Sequence, residues 1–255
     1  PVMALHMDGA YLTRPKWSKV DRKGRVDIKT TLLFTPRQLK EMSDDELYDR
    51  MKEVLTTDDF AWQKENRVRF RGGKFAEGLE NLLYACPKCG GMLTTVTKGN
   101  KIECCACGNG AKLNNYYEFE KLSQDCVIPE NIADWFDLLK EKETEAILSD
   151  ENFEMRSHVV IRRPYRKKLE WLSEVGDGTL ILNRNGLRFE GTQDGQAFEL
   201  EVPTASMPAL AFGCNQHVTL YKDGEYYSFV PDNRQESVRW SVVAELLYNL
   251  QSEKE

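Results

Sequence analysis

The sequence predicts an α+β protein with a helical linker, a four-cysteine metal ribbon and a β-rich domain closed by a C-terminal helix. Three observations predict it. Five of the seven cysteines fall between Tyr84 and Leu113, in two clusters. Helix-start signals and apolar residues at helical spacing dominate residues 35–83 and 121–152. From about Phe153 the texture changes to short alternating stretches separated by turn signals, and one amphipathic segment follows.

The totals set limits. At 255 residues the chain has room for two or three compact units, and 41% hydrophobic with 30% charged residues is ordinary for a globular protein. A net charge of −6 argues against a general nucleic-acid binder, which is usually basic. No apolar run approaches the ~20 residues of a membrane span, and no signal peptide is visible. Clustered thiols fit a reduced, cytoplasmic setting.

Taken in order, Pro1 to Leu12 reads as a buried strand that turns at Asp8-Gly9. A chain that opens on Pro1 and an apolar run has the texture of a domain interior, so the expectation is the C-terminal part of a longer protein. Arg14 to Arg25 carries six basic residues (Arg14, Lys16, Lys19, Arg22, Lys23, Arg25), one acid, Asp21, and Trp17 in the middle. It reads as a surface segment, either a solvated loop or a face for anionic lipid or a phosphorylated substrate. Arg25–Phe34 alternates as a strand. Thr35-Pro36 starts a helical region, and Ser43 with Glu46 is a capping box for a helix with Leu47, Met51, Val54 and Leu55 inward. Asp58-Asp59 begins a short helix. Gly72-Gly73 breaks the chain, and Phe75, Leu79, Leu82 and Leu83 suggest a last helix before the cysteines. Arg67, Arg69, Arg71 and Lys74 form a second basic patch.

Cys86 and Cys89 form one C-x2-C pair and Cys104 and Cys107 another, fourteen residues apart. This spacing suits a tetrahedral four-thiolate zinc site. Gly90 and Gly108 let the chain turn back behind each pair. Met92–Thr97 and Lys101–Cys104 read as strands joined at Lys98-Gly99-Asn100. Cys105 competes with Cys104 as a ligand, but Cys104 keeps the two-residue gap. Cys126 and Cys214 read as small apolar residues. Tyr116, Tyr117 and Phe119 close the ribbon sheet.

Ile128-Pro129-Glu130 opens a helix with Ile132, Trp135, Phe136, Leu138 and Leu139 inward. Nine acids between Glu130 and Glu154 face two lysines, Lys140 and Lys142, so it reads as a connector with a solvated face. The β-rich part follows as Met155–Arg162, Leu169–Glu174, Gly178–Leu182, Gly186–Gly191, Ala197–Val202, Ala209–Gly213, Gln216–Lys222 and Glu225–Val230. Asp223-Gly224 is a strong hairpin signal. A helix from about Gln235 to Leu250 turns Val238, Trp240, Val243, Leu246, Leu247 and Leu250 inward. About seven strands and one helix is the order of a PH/GRAM-like domain, with the helix plugging a bent barrel. Arg162, Arg163, Arg166, Lys167 and Lys168 sit beside its first strand pair as a possible phosphate site or a solvated basic loop.

No catalytic constellation is visible. His6, His158 and His217 lack an Asp five positions on, and no P-loop, G-x-S-x-G or dinucleotide fingerprint is present. A closed four-cysteine zinc does not activate water.

Gly9-Ala10-Tyr11-Leu12, Arg14-Pro15, Trp17, Trp62-Gln63, Ala76-Glu77-Gly78-Leu79-Glu80 and the four cysteines, in this order, resemble the C-terminal part of a bacterial branch of the 1-acyl-sn-glycerol-3-phosphate acyltransferase family. The resemblance spans about Pro1 to Phe119, and covers Phe153 to Leu250 only in outline. It implies that an acyltransferase domain is followed by a zinc ribbon and a β-rich tail; joined to the element order above, this gives 1–34 as the end of the acyltransferase domain, 35–83 a helical linker, 84–120 the zinc ribbon, 121–152 an acidic connector and 153–255 the PH/GRAM-like domain. It implies acyl transfer from acyl-CoA or acyl carrier protein to lysophosphatidate, by a His-x4-Asp motif that deprotonates the acceptor hydroxyl. That motif is absent from this chain, so no catalytic residue is assigned and the segment alone is expected to be inactive. The implied location is cytoplasmic, peripheral on the inner face of the membrane. The competing reading is a zinc-ribbon module for nucleic acid or protein partners. Met92–Glu103 offers two lysines and no aromatic residue, which leaves nucleic acid without a stacking platform.

Overall fold

The structure is a computed structural model. It describes residues 1–165 and 168–252, with side chains for all of these except 165 and 168–171. β1 (Val2–Asp8) and β2 (Asp27–Phe34) pair antiparallel as a two-stranded sheet. Between them lies the single turn α1 (Ala10–Thr13). Then come α2 (Gln38–Glu41), α3 (Asp44–Leu55) and α4 (Asp59–Asn66). The capping box forms: Ser43 Oγ accepts from the Glu46 N–H at 3.3 Å, and the Ser43 N–H donates to Glu46 Oε2 at 2.8 Å. Asp58 caps α4, and the buried carboxylate of Asp59 accepts from the N–H groups of Gly9 and Tyr11 (2.9 and 2.8 Å). That fixes the β1 exit against α4.

The expectation of a buried first strand is corrected. α3 covers only one side of the β1–β2 sheet, where Leu47 and Val54 pack on Ala4, Leu33 and Phe34. Met51 and Leu55, expected inward, are exposed. On the other side Met3 pairs with Leu32 and Met7 with Ile28, with Leu5 between. These five apolar side chains are 45–62% exposed. Alternation put every second residue outward as usual, but here those residues are apolar too.

Trp17 and Arg22 are also corrected: both are 3% exposed, not surface groups. The Arg22 guanidinium lies over the rings of Trp17, Phe75 and Tyr117. It donates to Tyr117 Oη (2.6 Å) and to the carbonyls of Lys74 and Phe75 (3.3 and 3.0 Å). Cation–π attraction and three hydrogen bonds replace the carboxylate that a buried cation usually finds. The expected helix over Phe75–Leu83 is a single 3-10 turn, Leu79–Asn81. Gly78 before it has φ of 95°, and a Cβ there would sit 2.0 Å from the Trp17 carbonyl oxygen. The close approach of two backbones wins over helix periodicity.

The ribbon is a four-stranded antiparallel meander, β3 (Thr95–Lys98), β4 (Lys101–Cys104), β5 (Gly110–Leu113) and β6 (Phe119–Lys121). The first strand starts later than its composition suggests, because Leu93 takes a left-handed φ of 55° and its N–H binds the Tyr84 carbonyl at 2.6 Å. One core joins Leu12 and Trp17 to Phe70, Phe75 and Leu79, to Ile102, Leu113 and Tyr117 of the ribbon, and to Ile132 and Trp135. The last two open α5 (Ile132–Ser149), which Asn131 caps rather than Pro129-Glu130.

The tail is a seven-stranded antiparallel sheet: β7 (Glu154–Tyr165), β8 (Lys168–Asn183), β9 (Gly186–Gln193), β10 (Gln196–Pro203), β11 (Ala211–Gly213), β12 (His217–Lys222) and β13 (Glu225–Pro231). Its strand order is β10-β9-β8-β7-β13-β12-β11. The two stretches expected at Leu169–Glu174 and Gly178–Leu182 are one strand. The apparent break at Gly176-Asp177-Gly178 is a bulge at Val175 and a close crossing, for a Cβ on Gly176 would lie 1.9 Å from the Thr192 carbonyl oxygen. Asp194-Gly195 and Asp223-Gly224 turn with both φ values positive, the hairpin geometry such dipeptides favour. α6 (Glu236–Ser252) seals this sheet with Trp240, Val243, Ala244 and Leu247.

The acidic helix α5 is no free connector. Glu143 is 1% exposed. Its carboxylate takes a two-pronged contact from Arg239 on α6 (2.7 and 3.3 Å) and a hydrogen bond from Tyr84 Oη (3.2 Å). Burial first, then the Glu143 charge, pushes the Tyr84 phenol well above its usual range, so it stays a donor. Around this contact Tyr84, Ala85, Leu139, Val238 and Val242 form a shared core. Glu143→Leu is expected to destabilise the chain by about 3 kcal/mol, because Arg239 is left half-buried and unpaired. Adding Arg239→Met restores most of the loss. Chemical denaturation of both variants checks this; a double variant as weak as the single one counts against it.

Candidate metal centre

Each half of the centre is a tight turn held by its own backbone. Behind the first pair, the Gly90 N–H donates to the Cys86 carbonyl and the Cys86 N–H to the Gly91 carbonyl, both 3.0 Å. Behind the second, the Gly108 N–H donates to the Cys104 carbonyl (2.9 Å) and the Cys104 N–H to the Asn109 carbonyl (2.8 Å). Gly90 and Gly108 take φ of 72° and 71°, the left-handed turn that glycine allows without strain.

The two turns bring together Cys86, Cys89, Cys104 and Cys107, whose sulfurs all lie within 4.8 Å of one another. Cys86 and Cys107 are 3.7 Å apart, as are Cys89 and Cys104. Metal–sulfur bonds of about 2.3 Å in a tetrahedron set sulfurs about 3.8 Å apart. A disulfide needs about 2.05 Å, and all seven cysteines are free thiols. The four residues can hold a metal ion. Cys105 points elsewhere: its side chain is exposed and outside the group, and its N–H holds the Thr94 carbonyl at 2.9 Å.

The electrostatics fit a cation at the centre. At Cys104 burial opposes ionisation, but its contact with Thr94, whose Oγ1 accepts from Sγ at 3.3 Å, and the N–H groups of Ala106 and Cys107 outweigh it and bring the thiol down to about 6. At Cys107 the Asn109 N–H favours the thiolate, but burial and the neighbouring sulfurs push the thiol up to about 12. Four thiolates this close repel one another until a cation neutralises them.

Two supporting residues escaped the sequence reading. Asn109, 2% exposed, donates from Nδ2 to Cys86 Sγ (3.7 Å) and the Val127 carbonyl (2.9 Å), while its Oδ1 accepts from the Val127 N–H (2.7 Å). Thr94 sits beside Cys104 and anchors the knuckle by donating to the Gly91 carbonyl at 2.9 Å. A signal for Asn109 was its place one residue past Gly108; Thr94 gave none. Cys126 lies close by and its sulfur accepts from the Gly110 N–H at 3.4 Å.

Other sequence candidates lie apart from the centre. Arg67 pairs with Glu118 and stacks on Tyr116, and Lys74 pairs with Glu77. Arg162 and Arg163 pair with Glu174 and Glu225. Arg166 and Lys167 lie outside the described residues, as does the side chain of Lys168. His158 is bracketed by Asp232 and Asp177 (3.1 and 3.2 Å), His6 contacts Asp8, and His217 is half-buried. No pair of these makes a nucleophile and base among the described residues. Comparison of the chain with protein-family models and with curated proteins gave no match.

Two outcomes follow. Metal analysis should find one ion per chain, lost in Cys104→Ser but kept in Cys105→Ser, and Asn109→Ala should weaken affinity about 10–100-fold. Equal loss in both serine variants contradicts the assignment. His158 is raised above its ordinary value by the hydrogen bonds it donates to Asp232, then Asp177. Its folded value thus exceeds the unfolded one, so its contribution is complete below about pH 6.5 and fades as pH rises through the folded value. The melting-temperature gap between wild type and His158→Gln should therefore be present near about pH 5.5 and vanish by about pH 9.

Proposed function

We propose that this chain is the accessory C-terminal portion of a 1-acyl-sn-glycerol-3-phosphate acyltransferase, with zinc as the ion of a purely structural ribbon. The parent enzyme transfers an acyl chain from acyl-CoA or acyl carrier protein to lysophosphatidate, peripherally at the cytoplasmic face of the membrane. No described helix is long and apolar enough to cross one. Four thiolates with no fifth donor among the described residues favour zinc, and leave no position for substrate. The tail is read as PH/GRAM-like, since its sheet runs fourth, third, second, first, seventh, sixth, fifth in chain order and a helix closes it. Fold alone carries no ligand with it.

The observation that carries the reading is where the resembling residues meet. Gly9 stacks so tightly on Trp62 that a Cβ would lie 2.5 Å from its ring. Gln63 bonds the Val68 N–H and carbonyl and the Tyr116 carbonyl. Leu12, Trp17, Ala76 and Leu79 share the core with the ribbon. Motifs scattered over 72 positions thus act as one packing unit. The five exposed apolar side chains of β1–β2 add support, since such a face is what a sheet flanking a catalytic domain would bury.

The reading requires an Asn-His-x4-Asp segment encoded ahead of Pro1. The complete gene product should move labelled acyl groups from acyl-CoA or acyl carrier protein to 1-acylglycerol-3-phosphate, and this chain alone should move none. A complete product without that transfer overturns the proposal.

A further inference from the structure

A cleft of about 460 Å³ opens where three distant segments meet: Arg14–Val20, Lys74–Asn81 and the Cys214–Gln216 turn between β11 and β12. Arg14, Lys16, Lys19 and Lys74 line it, against Glu77 and Glu80. Two of the cations are already matched. Arg14 pairs with Asp21 at 3.3 Å and Lys74 with Glu77 at 3.1 Å. Glu80 is held by the Thr97 hydroxyl. Lys16 and Lys19 form no ion pair among the described residues, although Lys16 rests over the Phe212 ring, 5.1 Å from its centre. Ser18, Asn81, Asn215 and Gln216 add neutral polar side chains to the walls. With Glu80 offsetting one of the two lysines, the cleft still keeps a net positive charge in a chain of net charge −6.

We infer that this cleft binds a phosphate monoester group. Lys16 and Lys19, free of ion pairs among the described residues, can donate to its oxygens, and amide and hydroxyl neighbours add hydrogen bonds. The volume leaves room for a small body on the ester oxygen. Because one wall belongs to the tail sheet and two belong to the N-terminal core, the bound group bridges the two and ties them together. The binding stands independently of the acyltransferase reading, for it uses only this chain's charges and shape.

The same chemistry comes from a free phosphate ester or from an anionic lipid headgroup, and one experiment with two arms separates them. The whole zinc-loaded chain is titrated with inorganic phosphate and methyl phosphate by calorimetry. It is also floated with phosphatidylcholine vesicles with and without phosphatidate. Saturable binding in either arm is expected to weaken about tenfold or more in Lys16→Ala/Lys19→Ala, and to persist in Lys23→Ala, an exposed cation outside the cleft. The arm that binds names the source. Melting temperatures should not move, because Lys16 and Lys19 are both exposed. No binding in either arm, or binding that the double variant retains, overturns the inference.

Discussion

The buried carboxylate of Glu143 is the contact on which the assembly of this chain turns. It receives Arg239 from the last helix and Tyr84 from the threshold of the first cysteine knuckle. A carboxylate at 1% exposure is costly unless every strong acceptor site is used. Here it can be satisfied only when the ribbon, α5 and α6 are all in place. Apolar contacts between the same elements, such as Leu139 with Val238 and Val242, supply attraction but little directional preference. The ion pair adds the direction and fixes how the tail meets the ribbon.

The ribbon needs that support and gives it back. Its strands hold three or four residues each, too short to be stable as an isolated sheet. Two constraints replace length. The thiolate cage closes one end. At the other, Ile102, Leu113 and Tyr117 enter a core built largely by residues before the first cysteine. Arg22 shows how far this goes. A guanidinium with no carboxylate is buried because aromatic faces and carbonyls surround it and Tyr117 reaches on to the Leu12 carbonyl. Ribbon and N-terminal segment are one packing unit.

This explains what the sequence made legible. Local signals worked where local physics decides: the two C-x2-C turns, the Ser43–Glu46 box, the Asp223-Gly224 hairpin and the inward face of α6. Signals failed where a distant partner decides. Lysine-like surface behaviour was expected of Arg22, because nothing near it in sequence announces three aromatic rings from elsewhere. Glu143 is one of nine acids in its stretch, and only Arg239, ninety-six residues on, distinguishes it. Gly78 read as part of a helix and Gly176 as a gap between strands, yet each marks a place where two backbones nearly touch. Asn109 was overlooked since an amide beside a sulfur leaves no periodic trace.

The distribution of charge then follows from the packing. The basic segment from Arg14 to Arg25 spends Arg22 on the core, Arg14 on Asp21 and Arg25 on Asp27, with its guanidinium also over Trp62. Of the three lysines that form no ion pair among the described residues, Lys23 lies outside the cleft, while Lys16 and Lys19 flank the backbone crossing, Trp17 on Gly78, that abolishes the expected helix. The backbone that carries those two charges is therefore set by a closely packed crossing. Packing that begins at the cysteines and passes through Tyr84 and Trp17 thus decides where the charges of this segment meet the surface.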